Sequence, residues 1–173
     1  ESNELLGKMG AQTNAATSLD TVRYYINTTS EHTDQAIALL SDWMTSAKIT
    51  QAEYERERQV IQREFDMGRG EPGRIFWKLT QQARYEVHPA RHPTIGYLDE
   101  FLTISRDEIY NFYKTMYVPN NMVFVVAGDI DPRQVVEQVK QAWAEAEPGE
   151  LPELAFPVEP ELAEPKDVTG HAD

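Results

Sequence analysis

Hydrophobic positions alternate at strand spacing in one stretch of the chain and recur at helical spacing in most of the others. In residues 21–29, TVRYYINTT, Val22, Tyr24, Ile26 and Thr28 alternate with Thr21, Arg23, Tyr25 and Asn27, which predicts a strand. The preceding AQTNAAT, residues 11–17, is small and polar throughout. It would make a poor core strand but a fitting edge strand, with 18–20 turning the two into a hairpin. Residues 1–8 read as the tail of a helix with Leu5 and Leu6 inward, ended by Gly7 or Gly10. From about 31 to 47, Ala36, Ile37, Leu39, Leu40, Trp43, Met44 and Ala47 form a wide apolar helical face, with Ser30 placed to cap it. A helix from Pro72 to about Tyr85 would turn Ile75, Phe76, Leu79 and Ala83 inward. Ser105 and Glu108 are spaced as a capping box for a helix to about Met116 with Ile109, Phe112, Tyr113 and Met116 inward. Asp131 and Pro132 open another, to about Ala146, burying Val135, Val136, Val139 and Trp143. Residues 122–127, MVFVVA, are continuously apolar and predict a central strand stopped by Gly128. The order hairpin, helices, strand, helix predicts an α+β fold with helices packed on one face of a mainly antiparallel sheet. A complete domain of this kind would want a further strand before residue 1 and another after Val168.

The stretch 53–69, EYERERQVIQREFDMGR, is also helical, and Thr50 with Glu53 is a capping box that sets its start. At about 100° per residue, Glu57, Val60, Ile61 and Glu64 fall on one side, the predicted inner face. Glu57 and Glu64 lie two turns apart on nearly the same azimuth, roughly 10 Å along the axis. A carboxylate beside an apolar stripe is costly unless paired, protonated or bound to a metal. Arg56, Arg58 and Arg63 stand at spacings that could pair these acids, so helical spacing alone does not name a chemistry.

Composition narrows the field. The chain has 173 residues, 40% hydrophobic, enough for a real core. Its net charge of −13 argues against nucleic acid and anionic membrane surfaces, where attraction needs Lys and Arg. There is no cysteine, hence no disulfide, thiolate metal site or cysteine nucleophile, and the compartment stays open between bacterial cytoplasm and periplasm. No run approaches the ~20 apolar residues of a membrane span. The start has neither an initiator Met nor a signal-peptide pattern, so the chain reads as a piece of something longer. In the loop 87–99, VHPARHPTIGYLD, His88 and His92 have the spacing of a helical metal pair, but Pro89 and Pro93 argue against a continuous helix there. Residues 145–167 hold eight acids, one lysine and five prolines and read as an extended linker, tethered at most through Leu154 and Phe156 to a sheet. His32 and His171 read as ordinary surface residues.

Several stretches in collinear order resemble the insulinase/pitrilysin-type zinc peptidases, nearest the bacterial and mitochondrial-processing-peptidase branch. They are Asn14-Ala15-Ala16-Thr17, Tyr24, Glu57-Arg58-Gln59-Val60-Ile61-Gln62-Arg63-Glu64, His88-Pro89 with Gly96, Phe112-Tyr113, Tyr117-Val118-Pro119-Asn120-Asn121-Met122, and Val126-Ala127-Gly128-Asp129. The resemblance implies a LuxS/MPP-like metallohydrolase domain in which an upstream His-x-x-Glu-His helix gives two zinc ligands and the general base. Glu64 then matches the third zinc ligand, and Glu57 an acid that supports the site by hydrogen-bonding a ligand histidine. It also implies that the strand Asn14, Ala15, Ala16, Thr17 pairs with substrate backbone, Asn14 and Ala15 lying near the scissile bond, with Tyr24 either a further substrate contact or a core or sheet-face tyrosine.

No His-x-x-Glu-His occurs in the sequence. The expected organisation is therefore a partial, N-terminally truncated peptidase domain over 1–146 and an acidic Pro-rich linker over 147–173 leading toward a final strand or the next domain. The expected function is a fragment of a zinc-dependent metalloendopeptidase acting on extended peptides, itself inactive and holding Zn2+ weakly or not at all. Its expected partners are a peptide substrate and a second homologous domain or subunit. Two rivals stand beside this: a non-catalytic structural subunit of the same fold, and an unrelated acidic interaction module with a merely solvent-exposed edge strand.

Overall fold

The alternating stretch and its small polar neighbour form the hairpin that their patterns predict. Strands β1 (Gln12–Thr17) and β2 (Val22–Asn27) pair antiparallel, Gln12 opposite Asn27 through Thr17 opposite Val22. The structure is a computed structural model describing residues 2–170. The readings placed on Glu1 and His171 lie outside them. The chain divides into two compact units, Glu1–Lys48 with Asp107–Leu151, and Ile49–Arg106 with Pro152–Asp173.

In the first unit, helix α1 (Ser2–Lys8) ends at Gly10, whose φ of 55° is the left-handed conformation that closes a helix. The N–H of Ala11 donates to Leu6 and that of Gly10 to Gly7, satisfying carbonyls the helix leaves unpaired. Leu6, Met9 and Leu39 form the core cluster, with Leu5, Ala11, Ile26 and Trp43 against it. Helix α2 (Thr33–Thr45) supplies Leu39, Trp43 and the buried Ser41. Ser30 does not cap it. A 3-10 turn, Ser30–His32, comes first, and the Ser30 carbonyl accepts from the Thr33 hydroxyl. In the second unit, α3 (Gln51–Gly68) has the predicted capping box, with the Thr50 hydroxyl accepting from Glu53 N–H and the Glu53 carboxylate accepting from Thr50 N–H at 2.8 Å. Helix α4 (Pro72–Arg84) begins at its proline, behind a Glu71 side chain that accepts from the N–H groups of Gly73 and Arg74. Phe76, expected inward, is 72% exposed, because the face that packs carries Gln81, whose amide donates to the Ala90 carbonyl. Helix α5 (Leu98–Thr103) follows a 3-10 turn at Pro89–Arg91, where the sequence showed only a loop.

Helices α6 (Arg106–Met116) and α7 (Pro132–Ala142) follow; all but the first residue of α6 lie in the first unit. Asp131 caps α7 through the N–H of Arg133, as expected, and Trp143 Nε1 donates to Ser41 Oγ at 2.9 Å, tying α7 to α2. Val136, expected inward, is exposed, whereas Val135 is buried. The predicted central strand is corrected. Residues 122–127 carry no strand, and Val123 and Val125 are 90% and 76% exposed. Strands exist through their ladders, and among the described residues β1 and β2 are the only pair. The predicted α+β class holds, as a mostly helical chain with a small antiparallel sheet.

Residues 146–170 contain neither helix nor strand. From residue 152 on they belong to the second unit and are anchored to the α4 region, not to a sheet. Phe156 faces the His88 ring at 5.7 Å, Lys166 pairs with Glu86 at 3.6 Å, and Leu154 is exposed.

Candidate functional site

Every residue of β1 is exposed, so the strand contributes its backbone to the sheet and almost nothing to the core. Ser18 N–H donates to the Thr21 carbonyl at 2.8 Å, closing the hairpin. Hydrogen-bonded pairs alternate along an antiparallel ladder, so the backbone groups of Ala16, Asn14 and Gln12 face β2. Those of Thr17, Ala15 and Thr13 face the open edge. Asn14 Oδ1 accepts from Ala15 N–H at 2.8 Å, as an N–H outside the ladder allows. Asn14, Ala15, Ala16 and Thr17 therefore form a one-sided edge with small side chains and outward donors, the geometry to which an extended peptide can add a strand.

Tyr24 stands directly across from Ala15. Its hydroxyl hydrogen-bonds that of Tyr117 at 2.7 Å, with the rings edge to face at 6.2 Å. Tyr117 packs on Tyr113 at 5.1 Å, and Tyr113 on Tyr110. The Tyr113 hydroxyl donates to the Met44 carbonyl at 2.9 Å and accepts from Ala47 N–H at 3.1 Å, closing the end of α2. Burial raises the pKa of both Tyr113 and Tyr117, and for Tyr117 the bond to Tyr24 adds to it, so both phenols stay protonated. This chain of tyrosines braces the hairpin. Tyr24 and Tyr113 stand in separate patterns of the sequence, and the i, i+4 spacing of Tyr113 and Tyr117 is the signal that links them.

In the second unit, Glu57 and Glu64 lie on α3, and both are exposed. The inner face of α3 is rotated from the predicted one. Tyr54 donates to the Ile104 carbonyl and Arg58 to the Leu102 carbonyl, each at 2.6 Å, and Phe65 packs on Phe101 at 5.7 Å. Tyr54, Arg58, Ile61 and Phe65 recur at helical spacing, and their arc puts Glu57 and Glu64 about 70–90° to one side. Two aromatics and the stem of an arginine outweigh Val60 in setting which way the helix faces. Glu57 accepts from Arg56 Nε at 3.0 Å, while the side chain of Arg58 turns to Leu102. Arg74 reaches the Glu64 backbone carbonyl at 3.4 Å. An open hollow of about 390 Å3, lined by Gln59, Gln62, Arg63, Asp66, Leu98 and Leu102, lies across α3 from Glu64.

His88 and His92 do not stand on one α-helix, because Pro89–Arg91 between them is a 3-10 turn. His88 Nδ1 accepts from Ala90 N–H at 3.1 Å, and His92 Nδ1 bonds the Tyr97 hydroxyl. The described residues include no group of three or more His, Cys, Asp and Glu side chains placed to hold a metal ion. Glu57 and Glu64, two helical turns apart, are too far separated along the axis to share one ion. The donor set of these residues thus does not make up a zinc site: Glu64 is one carboxylate where such a site takes three protein ligands.

The sequence pattern of the family described as Insulinase (Peptidase family M16) matches residues 1–96. The chain belongs to this family. A second pattern, Peptidase M16 inactive domain, matches residues 103–171. The zinc protease PqqE of Helicobacter pylori is 29% identical over 96% of this chain and 37% of its own length. The probable zinc protease PqqL of Escherichia coli is 30% identical over 81% of this chain and 16% of its own. Among solved structures, a protease from Helicobacter pylori aligns with a TM-score of 0.82 at 27% identity over 92% of this chain and 40% of that one. The first half of the periplasmic protease PqqL aligns with a TM-score of 0.77 at 27% identity, over 93% of this chain and 36% of that one. The M16 chain thus spans about two fifths or less of these relatives. No helix among its described residues is long and apolar enough to cross a membrane.

Proposed function

We propose that the whole protein is a zinc-dependent metalloendopeptidase that hydrolyses extended peptides, and that this chain supplies its peptide-receiving edge and one of its zinc ligands. The observation that carries the reading is the open edge of β1, with the outward N–H of Thr17 and that of Ala15, which Asn14 Oδ1 holds and a peptide carbonyl would have to replace, in a chain of the M16 family. A peptide laid along that edge gains backbone hydrogen bonds of about 0.5–1.5 kcal/mol each and is held extended, whatever its side chains. Asn14, Ala15, Ala16 and Thr17 are small enough to admit it closely. Tyr24, held by Tyr117, keeps β2 and hence the edge in place. Glu64, exposed on α3, is the ligand donor. Glu57 is the acid that orients a ligand histidine. Both histidines and the general base come from outside this chain, which by itself is inactive. A second homologous domain or subunit completes the peptide cavity. Bound zinc would supply an acidified water and polarise the scissile carbonyl.

Glu64→Gln in the whole protein tests this reading: zinc content should fall well below stoichiometric and hydrolysis of an unfolded peptide should drop at least about a hundredfold. Full retention of both overturns the assignment of Glu64. The match of residues 103–171 to the inactive-domain pattern favours a second reading, a non-catalytic subunit of the same fold. Absence of zinc and hydrolysis in the unaltered whole protein would establish that reading instead.

A further inference from the structure

The N–H groups of Glu86, Val87 and His88, three consecutive residues after α4, converge on one side chain more than seventy positions away. Glu86 donates to Glu159 Oε1 at 2.5 Å, and Val87 and His88 donate to Oε2 at 3.1 and 2.8 Å. We propose that the 86–88 backbone is a carboxylate-binding nest and that Glu159 is its resident occupant, latching the acidic proline-rich segment onto the α4 region.

Successive N–H groups turned to one side make a concave site of positive potential, and a carboxylate there receives charge-assisted hydrogen bonds. The occupant is built for it. Pro157 and Pro160 flank Glu159, hold the segment extended and remove two N–H groups that would compete for its carboxylate. Contacts on either side fix the register. Phe156 lies against the His88 ring, which Tyr85 backs at 5.3 Å, and Lys166 pairs with Glu86. Beyond them Gly170 sits where an added Cβ would fall 2.4 Å from Leu79, so the segment runs close along α4. Desolvation pushes the Glu159 pKa up, but the three backbone donors and His88 outweigh it and hold the carboxyl below its usual range. The like-charged Glu86 side chain is paired with Lys166 at 3.6 Å. The latch also joins the two matched family segments, since residues 86–88 belong to one and Glu159 to the other.

The ligand class follows from the chemistry: a carboxylate on an extended, proline-flanked acidic peptide. Amide hydrogen exchange of the full chain tests it. Glu159→Ala and the near-isosteric Glu159→Gln should each speed exchange at Glu86, Val87 and His88 about tenfold or more, leaving α3 unchanged. In Glu159→Ala, the peptide AFPVEPEL, the chain's own residues 155–162, added at millimolar concentration should restore protection, and AFPVQPEL should not. Unchanged exchange in both variants, equal rescue by the two peptides, or a rise spread over the whole chain in both variants would each overturn the proposal.

Discussion

Tyr117 shows how one hydroxyl can matter more than its exposure suggests. It links the Tyr24 hydroxyl to the ring stack of Tyr113 and so holds β2 against α6. Tyr117→Phe keeps the ring packing and removes the hydroxyl pair, and should lower stability by about 1 kcal/mol in urea unfolding near neutral pH. The raised pKa of Tyr117 gives a second signature. Its contribution is complete below the ordinary phenol value of about 10 and is lost as pH rises through the higher folded value. The unaltered chain should therefore lose stability above about pH 10 more steeply than Tyr117→Phe. Equal alkaline slopes would show that the pair does not carry the shift. At the same scale, Glu57 and Glu64 show where sequence reasoning stops. Their spacing was legible, but the direction they face was settled by Tyr54, Arg58 and Phe65 finding partners around α5.

Elements differ in how far local sequence specifies them. Helix α3 was readable because Thr50 and Glu53 are a purely local device, and α4 and α7 because a proline at the first position lacks only an N–H the helix would leave unused. Ser30 failed as a cap because the same residue types also favour a 3-10 turn. The acidic segment was readable as extended, but its anchorage was not, since nothing in the residues around Glu159 announces a partner at 86–88. That anchorage should respond to acid. The Glu159 carboxyl lies below its usual range, so its contribution is present above the ordinary value of about 4.3 and is lost as pH falls through the lower folded value. The other charged groups around it, Glu86, His88, Arg91 and Lys166, include one more carboxylate. Exchange at residues 86–88, corrected for intrinsic rate, should rise below about pH 4, and Glu159→Gln should abolish that rise. A pH-independent protection factor would contradict it.

Across the molecule the core is thin. Among the described residues, Leu6, Met9, Ile37, Leu39, Ser41, Tyr113, Val118 and Val135 are buried in the first unit, and only Gln81 and Ala90 in the second. At the same time Val123, Val125 and Phe112 stand open to solvent. Such exposed apolar residues on a chain spanning 37% of a relative's length are surface that a longer protein can cover. Val125→Lys should shift the stability of this chain by no more than about 0.5 kcal/mol and reduce its self-association in sedimentation velocity. A loss of 2 kcal/mol or more would mean that Val125 is packed in solution.

The sequence by itself determined what depends on neighbours along the chain: the hairpin, the caps at Thr50 and Asp131, the starts of α3, α4 and α7, the α+β class, the exclusion of cysteine chemistry and, through collinear motifs, the M16 family. Tertiary structure decided the azimuth of α3, the bracing of Tyr24 by Tyr117, the seating of Glu159 and the absence of a ladder for residues 122–127. The division has a physical basis. Caps, turns and periodicity are satisfied by hydrogen bonds and sterics within a few residues, whereas a helix face, a strand or a buried donor acquires its partner only when distant segments meet.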